Sequence, residues 1–226
     1  MKTPLRLSPI HAALQALDGT WKTINGMPCL TAITTATQPS SQVEVMDLSC
    51  LQRFGVKGAN AAEWLSQQGL KTPTGADLSL PELRPNSWQP LSGGAMIARL
   101  GLTEYLIEDS LSTTLAPRLA YACQAPPARV YPVLRQDLAL GLMGDRLPDL
   151  LRQTCSFNFQ ALALSDRPII LTSMIGVAVT VLPSERSGKP FYRLWCDGTF
   201  GTYFWQTLME IATELGGGAI STEFLL

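Results

Sequence analysis

The chain contains one histidine, His11, in a run of alanine and leucine neighbours. A lone imidazole there supplies by itself neither a histidine-based metal site nor a catalytic triad, so His11 takes a packing or solvated role. Charge is also scarce, at 15% of residues, and 17 basic against 18 acidic side chains leave a net charge of −1. Nucleic acid is therefore excluded as a partner, because a phosphate backbone demands a basic surface. None of the five cysteines (Cys29, Cys50, Cys123, Cys155 and Cys196) stands in a C-x-x-C pair, which excludes a zinc knuckle and a disulfide framework. Reduced thiols place the chain in the cytoplasm. No run is apolar for long enough to span a bilayer, and Pro4, Pro9, His11 and Gln15 interrupt the stretch a signal peptide would need. Gly93-Gly94 and Gly216-Gly217-Gly218 match no phosphate-loop spacing and read as a turn and a helix stop.

Apolar residues make up 46% of the 226, with a mean hydropathy of +0.13. That is enough for one large core or two fused ones, and the low charge leaves apolar surface for a subunit interface. Ser8 and Pro9 open a short helix over 8–17, and 31–42 read as an extended loop. Val43 begins a strand. Residues 51–56 form another strand, which exits at Gly58 into a helix carrying Ala61, Trp64 and Leu65 on one face. Pro73, Pro81, Pro85, Pro90 and the Gly93-Gly94 pair argue against regular structure over most of 71–94. Strands follow at 95–100 and 104–108, then a helix at 112–123. After Pro126-Pro127, residues 130–142 read as one long strand, bent near Pro132, and 145–154 as a helix with Asp145 at its N-cap. Strands at 169–172, 177–182 and 191–196, a helix at 202–215 and a last strand at 220–226 complete the chain.

The strand-glycine-helix corner occurs twice. Phe54-Gly55-Val56-Lys57-Gly58 with Trp64-Leu65 is echoed by Leu140-Gly141-Leu142-Met143-Gly144 with Leu150-Leu151, the steps from Gly58 to Gly144 and from Leu65 to Leu151 both being 86 residues. This register marks an internal duplication. The expected fold is α+β, two fused ferredoxin-like β-α-β-β-α-β units over 43–127 and 128–226, sharing strands, behind an N-terminal helix and loop over 1–42.

The segment holding Asp47, Ser49, Gly58, Ala61 and Leu65 resembles the signature of the folate-binding aminomethyltransferase superfamily: an Asp-x-Ser before the first strand and a Gly-x-x-Ala-x-x-x-Leu helix start. The superfamily includes the glycine-cleavage T-proteins, the YgfZ-type proteins and the gamma subunit of heterotetrameric sarcosine oxidase. Thr3-Pro4-Leu5, or Ser8-Pro9-Ile10 followed by His11, and then Gly26-Met27-Pro28 also look like a T-protein opening. Three departures decide the branch. The sequence stops where a T-protein continues into a C-terminal barrel. Gly93-Gly94 is followed by Ala95-Met96-Ile97-Ala98-Arg99 where T-proteins carry adjacent aspartates. The YgfZ Lys-Gly-Cys-Tyr signature is missing. The sarcosine oxidase gamma subunit remains most similar, with a segment like Arg99 to Leu106.

The resemblance implies a subunit without catalytic residues of its own, packed against the large flavoprotein subunit of an N-methyl amino acid oxidising complex in one-carbon metabolism. The alternative is a free-standing protein holding tetrahydrofolate in an apolar hollow between the units, with Arg99, Glu104 and Tyr192 as its polar contacts. Arg99 and Glu104, on neighbouring antiparallel strands, are expected to form an ion pair. Cys50, with Asp47 and Arg53 near it in sequence, is the candidate reactive thiol, and Cys123, Cys155 and Cys196 read as small apolar residues. The aromatics Trp195, Phe200, Tyr203, Phe204 and Trp205 are divided between core packing and interface anchors.

Overall fold

A computed structural model describes residues 6–34 and 42–222. The first elements are α1 (His11–Gln15), β1 (Gly19–Ile24), β2 (Met27–Ile33), β3 (Glu44–Asp47), β4 (Arg53–Lys57) and α2 (Ala61–Ser66). Next come β5 (Ser87–Pro90), β6 (Met96–Arg99), β7 (Glu104–Glu108), α3 (Leu115–Ala122) and β8 (Tyr131–Val133). The chain then forms β9 (Leu138–Met143), α4 (Leu147–Thr154), β10 (Ile170–Met174), β11 (Val177–Leu182) and β12 (Glu185–Arg186). It finishes with β13 (Lys189–Cys196), α5 (Gly201–Glu214) and β14 (Gly218–Ile220). This is a mixed α+β architecture.

The chain divides into two units, and not at 127/128. The larger holds the residues up to Cys50, Asp137–Leu164 and those from Ile170 on; the smaller holds Leu51–Gln136 and Ser165–Ile169. Two strands cause the difference. β3, expected to open the first half, pairs antiparallel with β9 and parallel with β14, so it belongs to the sheet of the second half. The stretch 130–142, expected as one strand, breaks into β8 and β9, which enter different sheets. Pro132 sits on β8 at a sheet edge, where its missing N–H costs no ladder bond.

In the smaller unit the sheet runs β5-β6-β7-β4-β8, antiparallel throughout. Its core gathers Val56, Trp64, Leu65, Ile97, Tyr105, Ile107 and Leu119 from strands and helices. β5 lies in the stretch expected to be irregular, and Pro90 ends it. The exit from β4 turns on Gly58, at φ +124, a region nearly closed to other residues. The start of α3 is fixed by a side chain outside the helix. The buried Asp109 carboxylate accepts the backbone N–H groups of Leu115 (2.8 Å) and Ala116 (2.9 Å) and the Thr113 hydroxyl (2.7 Å). These are donors that a helix start leaves without intrahelical partners. Asp109→Ala is expected to lower stability by about 1–2 kcal/mol, the range of a lost N-cap, readable as a shift in urea midpoint.

In the larger unit the main path of the sheet is β10-β11-β13-β9-β3-β14, with β12 paired to β13. β9 is buried along its whole length, as a strand flanked and covered on both sides must be. α4 packs through Leu147, Leu150, Leu151 and Thr154, an i, i+3, i+4, i+7 stripe. Its N-cap position is Arg146, with no capping side-chain bond, and not Asp145. α5 buries Phe204, Trp205, Leu208 and Ala212 and ends before Gly216, at φ +78. The last strand is earlier than expected, at Gly218–Ile220, and 223–226 lie outside the described residues.

A hairpin of β1 and β2 occurs where the sequence expectations place no strand. Its turn is Asn25-Gly26, with φ of 50 and 76, the left-handed pair that matches the twist of two antiparallel strands. The expected loop over 31–42 is therefore strand as far as Ile33, and 35–41 lie outside the described residues. The first helix is also shorter than 8–17. Ser8 does contribute at its entry, its hydroxyl accepting the Ile10 N–H at 3.3 Å.

The Asp-x-Ser segment has a structural task in this unit. Asp47 Oδ1 accepts the Ser49 N–H (2.9 Å), and Ser49 Oγ accepts the N–H of Ala139 on β9 (3.2 Å). With Leu48 N–H donating to Ala139 O at 2.8 Å, the motif ties the end of β3 to the start of β9. Both side chains are buried.

Candidate functional site

A hollow in the larger unit is built from α4, the segment after it, and β13. Its floor comes from Leu147 and Leu151, which the α4 stripe turns inward, with Pro148 beside them. After Thr154 the chain leaves the helix and makes a short 3-10 turn, Phe159–Ala161, started by Asn158, whose side-chain oxygen accepts the Gln160 N–H at 3.2 Å. That turn drives Phe159 into the core, while Phe157, two residues earlier, stays 36% exposed at the mouth. On β13, Pro190 and Tyr192 alternate onto one face, as residues two apart on a strand do. The result is a file of three rings: Phe157 to Phe159 at 5.0 Å, edge to face, and Phe159 to Tyr192 at 5.9 Å. Counted with its mouth, the hollow measures about 410 Å³.

Tyr192 is 8% exposed, and its hydroxyl has no hydrogen-bond partner among the described residues. Burial, and then the negative charge of Glu185, push its pKa above the usual tyrosine value, so the hydroxyl keeps its proton and remains a donor. At the rim stands Arg152, paired with Asp149, which also takes Arg146 Nε at 3.0 Å. Hydrogen bonds from Arg146 and Arg152 hold the Asp149 carboxyl below its ordinary pKa. Arg152 is the one charged side chain that lines the hollow, which therefore offers aromatic and aliphatic walls, the Tyr192 hydroxyl and a guanidinium.

Of the three residues expected to contact a ligand, only Tyr192 lies here. Arg99 and Glu104 are in the smaller unit, and the expected ion pair between them does not form. Arg99 is opposite Tyr105 in the β6–β7 register, so Glu104 is one residue out of step and its side chain is on the other face. The Arg99 guanidinium donates to the carbonyls of Leu83 (2.8 Å), Gly101 (3.2 Å) and Leu102 (2.7 Å), with its carbon 5.6 Å from the Tyr105 ring centroid. Burial raises the Tyr105 pKa, and the charge of Arg99 opposes this. Glu104 pairs with Arg135 instead. Phe157, Phe159, Asn158 and Arg152 have no part in the sequence expectations. The legible signal was the pair Phe157 and Phe159, two aromatics outside any periodic segment.

The remaining candidates serve packing. All five cysteines are buried and none forms a disulfide, and burial pushes the Cys196 thiol up to about 12, with Asp137 and Asp197 adding to the shift. Cys29 is lowered, first by a hydrogen bond with Cys50. His11 stacks edge-on to Trp21 at 5.2 Å. Trp195, Phe204 and Trp205 are core residues, while Phe200 and Tyr203 are 49% and 53% exposed. Among the described residues no cluster of three or more histidine, cysteine or acidic side chains is arranged for a metal, and no helix is long and apolar enough to cross a membrane.

No protein-family model and no curated protein sequence matches the chain. Solved structures do. The glycine cleavage system aminomethyltransferase T from Bartonella henselae superposes with a TM-score of 0.76 at 11% identity, over 98% of this chain. This chain spans 61% of that protein's length. A chain of the heterotetrameric sarcosine oxidase from Corynebacterium sp. U-96, solved in complex with pyrrole 2-carboxylate, superposes with a TM-score of 0.62 at 18% identity. Here the match covers 96% of this chain and 100% of the other. The chain shares the fold of these two solved structures, as the resemblance of the Asp47 to Leu65 segment implies.

Proposed function

We propose that this chain is a non-catalytic, gamma-type subunit of a sarcosine oxidase-like complex, docking on its large flavoprotein subunit in one-carbon metabolism. The observation that carries the reading is the superposition on a chain of a heterotetrameric sarcosine oxidase, with a TM-score of 0.62 over 96% of this chain. Surface chemistry supports it. Phe200 and Tyr203 stand out at the start of α5, where Tyr203 Oη donates to Ile175 O at 3.0 Å and so presents its ring in a fixed pose. Pre-positioned exposed aromatics are the residues that interfaces use as anchors.

Co-expression with the large flavoprotein subunit tests this. The two chains are expected to co-elute in size exclusion, and Phe200→Ala with Tyr203→Ala to weaken association by at least about tenfold, roughly the effect of losing one anchor. Separate elution at micromolar concentration would overturn the proposal. The free-standing tetrahydrofolate binder ranks below it, although the higher TM-score to the aminomethyltransferase favours that reading: Arg99 and Glu104, two of its three contacts, are committed to protein groups.

The same proposal includes a duplicated ferredoxin-like unit. In the smaller unit β4, α2, β6, β7, α3 and β8 follow the β-α-β-β-α-β order, with strands side by side as β8-β4-β7-β6. In the larger, β9, α4, β11, β13 and α5 follow β-α-β-β-α with strands side by side as β9-β13-β11, and the place beside β9 is taken by β3, with β14 beyond. Gly58 and Gly144, at φ of 124 and 115, end the corresponding strands.

A further inference from the structure

The Tyr192 hollow is used neither by the proposed subunit contact nor by the duplicated fold, and it carries a specific demand. The Tyr192 hydroxyl is protonated, has no partner among the described residues and keeps contact with solvent at the hollow, so it is a donor that a ligand acceptor takes over from water. The walls around it are rings and leucines, which favour a flat apolar body over a flexible polar one. Arg152 is the one charged side chain in the lining, and its guanidinium stands exposed at the rim, where an anionic group can meet it.

We infer that this hollow binds an aromatic carboxylate: a planar ring system against Phe159 and Leu151, an acceptor atom at its inner end on the Tyr192 hydroxyl, and its carboxylate at Arg152. The inference does not rest on the subunit reading, since every contributing residue belongs to this chain's larger unit.

The probe is 6-methoxy-2-naphthoate, with an ether oxygen at one end and a carboxylate at the other, titrated by its own fluorescence into the full chain. Two relatives divide its chemistry: 2-naphthoate lacks the inner acceptor, and 2-methoxynaphthalene lacks the charge. Wild type is expected to saturate with the full probe below millimolar concentration. Tyr192→Phe should weaken the full probe about fivefold, the value of one neutral hydrogen bond, and leave 2-naphthoate unchanged. Arg152→Gln, at an exposed position, should weaken both carboxylates several-fold and leave 2-methoxynaphthalene unchanged. The melting temperature of Tyr192→Phe should not fall, because the hydroxyl has no internal bond to lose. No saturation by the full probe at millimolar concentration would overturn the inference. So would equal losses for all three compounds in either variant, or a fall in melting temperature for Tyr192→Phe with unchanged binding.

Discussion

Glu108→Ala is expected to cost about 3–5 kcal/mol of stability, more than any other single side-chain truncation considered for the smaller unit. Glu108 Oε2 and Arg53 Nη1 lie 3.4 Å apart as direct cross-strand partners of β4 and β7, and their side chains are 1% and 0% exposed. Removing the carboxylate takes the cross-strand partner from a buried guanidinium, and a buried charge that loses such a partner is penalised by several kcal/mol. The pair itself adds little over an apolar one, because desolvating both ions offsets most of their attraction. Arg53→Met combined with Glu108→Leu should therefore recover most of the loss. Urea unfolding of wild type, the single variant and the double variant checks this, and a double variant no more stable than the single would contradict it. Arg53 and Glu108 also have interactions beyond this pair, which the double substitution removes with it.

Gly58→Ala should cost about 3 kcal/mol or more, whereas Gly69→Ala should cost only about 1 kcal/mol. Gly69, at φ +65, has nothing within 4 Å of an added Cβ, so its penalty is the left-handed backbone alone. Gly58, at φ +124, adds a collision: its Cβ would lie 2.1 Å from the Arg129 carbonyl oxygen. That oxygen is backbone and accepts the Asn60 N–H at 3.3 Å, while Gly58 N–H donates to Thr103 O at 3.0 Å. Neither strand can retreat without losing a bond. Similar midpoints for the two alanine variants would show that the corner yields more easily than its geometry implies.

The sequence by itself determined the local elements and the corner that repeats. Gly58 and Gly144 end strands because no other residue adopts their φ readily, and the stripes Trp64-Leu65 and Leu150-Leu151 bury the helices that follow. α5 and its glycine stop were legible for the same reason: periodicity and backbone preference act within a few residues. The Asn25-Gly26 hairpin was equally local, with its signal in plain view. What only the tertiary structure decided is which distant strands meet. β3 lies beside β9, about ninety residues on, and residues 130–142 split between two sheets, because ladder bonds join any two extended segments and the sequence does not label the partner. One residue of register separates Arg99 from Glu104 and turns an expected ion pair into two unrelated contacts. The hollow depends on the same non-local packing. Tyr192 could be named from the sequence, but its ring file with Phe157 and Phe159 exists only once β13 is laid beside the turn after α4.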